Sequence, residues 1–297
     1  MPTPLASISP TFLTPHLQHH CFSTFEEFQL FMQRCAHRWG EEVEEAIRLI
    51  ALHGIRDPLT DVHIPATALE VNGSNYRETI SSNGCLSRHR AVLLILKEML
   101  ADQLIPQKDS LVIYTPEAIT AFAQYLQQHF PHWFGSEYDP PQSCTDDQQR
   151  PHQDLCALTL GDCCADVVIC IELIEHLYDL PSALSEIARI LKPGGYLIAT
   201  FPFAYNQSNT IIRVRHRPGS TPCVAEEEEL LMEPEYHGDP AHPNQGSLVY
   251  QIPGWDILDQ ARSAGLIDPH IHWIAAPSYG VLGRDTPAIM VLVAGKS

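Results

Sequence analysis

The sequence predicts an α/β fold with a mostly parallel sheet and a helical N-terminal region. Three observations lead there. From residue 110 onward, short β-rich runs alternate with amphipathic stretches, as in sheets whose strands are joined by right-handed helical crossovers. Within that alternation, Asp166–Glu172 is apolar enough for a fully buried strand. Ahead of it, two long segments carry apolar residues at helical rather than strand spacing.

Residues 1–22 are aperiodic and contain proline, threonine and histidine, which reads as a loose arm. "TFEEFQLFMQRCAHRWGEEVEEAIRLIAL", from Thr24 to about Leu52, predicts two helices or one helix broken near Gly40. Residues 53–82 are turn-rich, and "HRAVLLILKEMLADQL" (89–104) predicts an apolar helix stopped by Ile105–Pro106. Then follow strand Ser110–Tyr114, helix Glu117–His129, strand Trp133–Glu137 and a polar loop over 139–153. Strand Asp166–Glu172, helix Ser182–Leu191 and strand Tyr196–Pro202 continue the alternation. A polar, proline-rich stretch runs from Phe203 to about Ser247 and includes the acidic run Glu226–Glu229. Its length marks it as a lid or substrate-facing insertion. Helix 254–265 and strands Ile267–Ile274 and Ala288–Ala294 close the chain.

Composition narrows the function classes. The chain has 297 residues, 36 Asp and Glu against 18 Lys and Arg, and a formal net charge of −18. That acidity argues against tracking a nucleic-acid backbone or an anionic membrane, since either needs clustered cations. The one basic stretch, "IIRVRHRPG" (211–219), alternates like an exposed strand. Nine cysteines, no C-x-x-C pair and the adjacent Cys163–Cys164 give no disulfide framework or zinc ribbon. No run long enough to span a membrane and no secretory signal appear, so a reduced cytoplasmic setting is expected.

The motif with the most information is "DVVICIELIEHLYDLPSALSEIARILKPGGYLIATFPF". It holds an apolar strand ending at Glu172, then Glu175–His176, a helix, and Leu191-Lys192-Pro193-Gly194-Gly195 before a second apolar strand. The proline and glycines suit a tight reversal from helix to strand, a structural role for Gly194 and Gly195. This block resembles the second half of class I S-adenosylmethionine-dependent methyltransferases, and a fainter likeness runs from about Glu70 to the C-terminus. The resemblance implies a Rossmann-like methyltransferase sheet, mostly parallel with an antiparallel last strand. It also implies two regions: an N-terminal arm with helices over 1–69, and a methyltransferase-like domain over 70–297 with a lid at about 203–250.

The same resemblance implies S-adenosylmethionine as the cofactor and places its contacts at strand ends. Glu137, within Ser136-Glu137-Tyr138, matches the acidic residue that binds the ribose hydroxyls, where a carboxylate accepts from both. Asp154 and Leu155 match the adenine contacts, and Glu172 ends the next strand. The first turn, Tyr114-Thr115-Pro116-Glu117, lacks the glycines usual there. Thr115 and Glu117 are its candidate contacts, because a helix N-terminus still offers N–H groups and the cationic cofactor has no phosphate to cradle. Arg88 is a candidate clamp for the cofactor carboxylate, with Arg90 beside it, and a surface arginine near a helix start is the alternative.

On the acceptor side, the lid sequence "EPEYHGDPAHPNQGSLVY" gathers Tyr236, His237, Asp239, His242 and Asn244. A histidine beside an aspartate can take a proton from an acceptor hydroxyl, and a Gly-Asp-Pro turn with solvated histidines is the alternative. Their spacing matches no metal motif, so no metal site is expected. His176 reads as a packing residue over the cofactor. The expected activity is methyl transfer to a small-molecule or glycan-type acceptor. The alternative is a methyltransferase-like binding or scaffold protein with a decayed site.

Overall fold

The computed structural model describes residues 17–138, 151–240 and 243–297. Seven strands form its main sheet: β1 Gln18–Phe22, β2 Val112–Thr115, β3 His132–Gly135, β4 Ala165–Ile171, β5 Leu191–Thr200, β6 Ile267–Ala275 and β7 Ile289–Gly295. Their order is β1-β6-β7-β5-β4-β2-β3. The pairs β2–β3, β2–β4 and β4–β5 are parallel, and β7 runs antiparallel to β5. The expected fold class, with its antiparallel last strand, is therefore the observed one. The helices are α1 Phe25–Cys35, α2 Trp39–His53, α3 Ser87–Ala101, α4 Ala121–His129, α5 Leu180–Ile190 and α6 Ile257–Ser263.

Two elements differ from expectation. Residues 18–22 are not a loose arm but the edge strand β1. Beyond β3, the described residues make a single parallel bridge between Glu137 and His152. The sheet thus reaches seven strands by recruiting the N-terminal segment. The break between α1 and α2 also falls at Ala36–Arg38, a 3-10 turn, and not at Gly40, which lies inside α2.

Among the described residues the chain divides into two compact units. One comprises 17–21, 30–98 and 272–290, and the other 22–29, 99–138, 151–240, 243–271 and 291–297. The first has an apolar core of Ala46, Ile50, Ile55, Ile80 and Leu282. Beside that core lies Arg90, only 2% exposed. Its guanidinium donates to the backbone carbonyls of Cys85 and Ile80 at 2.7 Å each and of Gly280 at 3.0 Å. Gly280 adopts φ +67°, and a Cβ there would come within 2.9 Å of Arg90 Nε, so a side chain at 280 is excluded twice over. Arg90 therefore ties three stretches of backbone together.

In the second unit, β4 is buried along its whole length, as its unbroken apolar run requires. α5 starts on Asp179, whose carboxylate accepts from the Ser182 amide at 3.2 Å, with Pro181 in its first turn. Between α5 and the paired part of β5, the Lys-Pro-Gly-Gly stretch bulges out of the ladder. Ala165 pairs with Leu191 but Val167 with Tyr196. Gly194 has φ +79°, and a Cβ on Gly195 would meet the Asp166 carbonyl at 2.8 Å. Lys192 closes the bulge through Asp166 at 2.9 Å.

The insertion after β5 is better ordered than its polar, proline-rich sequence predicts. Three two-stranded ladders pair Ile211–Ile212 with Gln251–Ile252, Val214–Arg215 with Glu229–Leu230, and Tyr236–His237 with Ser247–Leu248. Val214, Ala225, Leu248 and Tyr250 form its small core. Within the acidic run, Glu228 is buried and accepts from the Tyr250 hydroxyl at 2.8 Å and the Arg217 amide at 2.9 Å, with His216 Nδ1 2.8 Å away.

Burial alone would push the Glu228 carboxyl up, but the bonds from His216, Tyr250 and Arg217 outweigh it and hold it below its ordinary value. A carboxyl lowered in the fold adds stability above its unfolded pKa of about 4.3, and that stability is lost as pH falls through the folded value. Glu228→Gln is accordingly expected to lower Tm at pH 7 and to flatten the acid limb of a Tm-versus-pH series below about pH 5. Parallel acid limbs for the two proteins would refute the assignment. Among the described residues, no helix is long and apolar enough to cross a membrane.

Candidate functional site

Because β2, β3, β4 and β5 are parallel, Thr115, Gly135, Ile171 and Thr200 end on one edge of the sheet. Open α/β sheets bind their ligands at this carboxyl edge. Six of the expected contacts fall there: Thr115 and Glu117 at the turn after β2, Ser136, Glu137 and Tyr138 after β3, and Glu172 after β4.

The glycine-free turn after β2 is fastened by the strand beside it. Glu137 is buried, and its Oε1 accepts from the backbone amides of Ala118 at 2.6 Å and Ile119 at 2.9 Å. Thr115 is fully buried, donates to the Glu117 carbonyl at 2.7 Å and accepts from Trp133 Nε1 at 3.1 Å. α4 then opens on Thr120, whose hydroxyl accepts from the Ala123 amide at 3.0 Å. The turn thus keeps its shape through a carboxylate and a hydroxyl, where a glycine-rich turn relies on backbone freedom. Ser136 is buried against the Tyr114 hydroxyl at 2.7 Å, which makes it a brace between β2 and β3. Burial raises the Tyr138 phenol well above its ordinary value, so it is a neutral hydroxyl.

Asp154 and Leu155 also lie in this unit. Asp154 accepts from the Tyr178 hydroxyl at 2.6 Å and from the Cys156 amide at 2.8 Å, and Leu155 is buried. Glu172, just past β4, is held at φ +52°, a left-handed conformation that non-glycine residues rarely adopt. Its amide donates to the Thr200 carbonyl at 2.8 Å and its Oε1 accepts from the Thr200 hydroxyl at 2.9 Å, which ties the ends of β4 and β5. Arg88 falls in the other compact unit, paired with Glu78.

The turn after Glu172 holds residues that sequence reasoning underrated. Glu175 is fully buried, and neither of its carboxylate oxygens has a hydrogen-bond partner. His176 Nε2 lies 3.6 Å and His237 Nδ1 3.5 Å from Glu175 Oε1. The two rings meet edge to face, with centroids 5.1 Å apart. His176 Nδ1 sits 2.8 Å from the Leu248 carbonyl, while the Tyr250 amide donates to the Glu175 carbonyl at 2.8 Å. The insertion is thereby clipped onto this turn, which brings His237 to a residue 62 positions earlier. The nearby Glu175 carboxylate raises the His237 imidazole above its ordinary value, against the effect of burial. Glu175, His176 and His237 form a group whose ligand atoms lie within 4.8 Å of one another.

The other lid candidates do not join it. Tyr236 alternates to the exposed side of its ladder. Asp239 accepts from the Ser247 hydroxyl at 2.9 Å, and the carboxylates near His237 are Glu175 and Glu235. His242 lies outside the described residues. The Glu175–His176 dipeptide after a buried strand and His237 in the lid were visible separately in the sequence, but nothing there joined them.

Comparison with known proteins finds likenesses to methyltransferases. Residues 120–199 match the family model described as "Methyltransferase domain". A probable S-adenosylmethionine-dependent methyltransferase of Mycolicibacterium smegmatis is 41% identical over 51 residues, 17% of this chain; the chain spans 20% of that relative's length. An S-adenosylmethionine-dependent methyltransferase structure from Mesorhizobium loti is 12% identical, with a TM-score of 0.42 over 67% of this chain and 96% of its own. Streptomyces venezuelae DesVI is 14% identical, with a TM-score of 0.40 over 67% of this chain and 91% of its own. The domain match lies across β3, β4 and β5 of the mixed sheet, so this part of the chain is similar to methyltransferase domains.

Proposed function

We propose that the chain transfers the methyl group of S-adenosylmethionine to a small-molecule or glycan-type acceptor. The observation that carries this reading is the intact first turn. Although it lacks glycine, Glu137 and Thr115 hold it in a defined shape at the carboxyl edge. A decayed site would have no reason to keep a buried carboxylate trained on two backbone amides.

On this reading Thr115, Glu117, Ser136, Glu137 and Tyr138 shape the ribose and methionine end of the cofactor site. Asp154 and Leu155 flank the adenine, and Glu172 faces the cofactor from β4. His237 belongs to the acceptor side, with Tyr236 and Asp239 on the same ladder. Methyl transfer from a sulfonium needs mainly an aligned acceptor in a site cleared of water. A structured insertion anchored over the edge supplies that condition.

Calorimetric titration with S-adenosylmethionine and S-adenosylhomocysteine tests the reading. Stoichiometric binding at micromolar Kd is expected for both. Absence of binding to either would leave the alternative, a methyltransferase-like scaffold whose catalytic site has decayed.

A further inference from the structure

We infer that Glu175, His176 and His237 form a binding site for a divalent transition-metal ion of the zinc, manganese or cobalt class. Three features of the cluster point to a cation at its centre.

The first is the carboxylate. It is fully buried, neither oxygen has a hydrogen bond, and its nearest partners are two imidazoles at 3.5 and 3.6 Å, a costly arrangement for a protein interior. The second is the tautomer of His176. The Leu248 carbonyl can only accept, so His176 Nδ1 donates to it, which leaves Nε2 as the ring nitrogen able to take a cation. That nitrogen faces Glu175 Oε1 at 3.6 Å, so an imidazole nitrogen and a carboxylate oxygen converge on one point. A backbone carbonyl fixing the far nitrogen is also the usual support of a metal-bound histidine.

The third feature is the spacing. A proton shared between imidazole and carboxylate would draw the heavy atoms to about 2.7–2.9 Å. The observed 3.5 and 3.6 Å are too long for that. Two ligands bound at about 2.1 Å to one tetrahedral ion lie roughly 3.4 Å apart. Two of the three ligand–ligand distances match the edge of a coordination polyhedron, and the third lies within 4.8 Å. Two imidazoles with one carboxylate favour borderline ions over calcium or magnesium, which prefer oxygen alone. Three protein ligands also leave a position for an outside oxygen.

This last point refines the proposed function and rests on it: an ion at the carboxyl edge would take a hydroxyl oxygen of the acceptor and ease loss of its proton. The metal site itself stands on the geometry alone.

The test is titration of tag-free, chelator-treated protein with Co(II), followed by visible ligand-field absorption and calorimetry. A second group, His19, Cys21 and His272, lies in the other unit, and its ligands include a thiol. The titration is therefore run on Cys21→Ser, whose loss of sulfur removes any thiolate-to-cobalt charge-transfer band. One Co(II) per chain is expected in this background. Adding Glu175→Gln or His176→Ala should weaken it on the order of 100-fold. Metal-free Glu175→Gln should melt at or above the temperature of the metal-free parent, since the amide relieves a buried unpaired charge. That readout also shows that the variant folds. Failure of Co(II) to bind, or equal binding by parent and Glu175→Gln, overturns the site. Cofactor titration of the same samples reads the methyltransferase proposal separately, because its outcome does not depend on the metal.

Discussion

Arg90→Leu is expected to cause the largest loss of stability of any single substitution considered for this protein. The guanidinium fork reaches three backbone carbonyls, those of Ile80, Cys85 and Gly280, in a site where Arg90 is 2% exposed. Leucine fills similar space but donates nothing, so the carbonyls of Ile80 and Gly280 lose the guanidinium at about 1–3 kcal/mol each, while that of Cys85 keeps the Ser82 amide at 3.1 Å. Relief of the buried charge offsets part of this; burial brings the Arg90 pKa down to about 10, so it is still a cation at neutral pH. A net loss of about 3–5 kcal/mol is a large share of a typical 5–15 kcal/mol. Guanidinium or thermal unfolding should show Tm falling by about 6–15 °C. Arg90→Lys should recover only part of it, because an ammonium cannot span three carbonyls with a fixed fork. A fall of less than about 2 °C for Arg90→Leu would mean that the carbonyls find other donors, and would remove Arg90 as the tie of this unit.

The same residue shows where sequence reasoning stops. Arg88 and Arg90 sit two apart at the start of an apolar helix, and either reads as a ligand clamp. Only the fold reveals that Gly280, 190 positions away, delivers a carbonyl to Arg90. The strands and helices after residue 110 were legible because each depends on local periodicity and on stop signals such as Pro193–Gly194. β1 was not, since an edge strand of "QHHCF" has no alternation of its own and forms only against a neighbouring strand. Glu175 was visible as part of a motif, but its isolation inside the protein follows from burial beneath an insertion whose His237 comes much later in the chain. The lid itself looked polar because its order comes from Glu228 and Tyr250, a buried hydrogen-bonded pair that composition counts as hydrophilic.

Glu137→Ala is expected to produce the largest loss of cofactor affinity. Its carboxylate Oε1 holds the amides of Ala118 and Ile119, so removal frees the turn after β2 at the edge where the cofactor is proposed to bind. Hydrogen bonds to a charged group contribute about 1.5–3 kcal/mol each, and part of that loss falls on any bound state that needs the turn in place. Calorimetry with S-adenosylhomocysteine should give a Kd raised about 30- to 300-fold, or about 2–3.4 kcal/mol, with a fall in Tm. Glu137→Gln separates two roles. Its amide oxygen still accepts from Ala118 and Ile119, so the turn and Tm should survive nearly unchanged. Any further contact that the carboxylate makes to ribose hydroxyls would lose its charge, and affinity should still drop by about tenfold. Three outcomes are thus distinct. Loss of affinity in both variants marks Glu137 as a ligand contact as well as a brace. Loss in Glu137→Ala alone makes it a brace only. A fall in Tm with unchanged affinity would show that the turn after β2 plays no part in holding the cofactor, and the glycines missing from it would then have been replaced for stability alone.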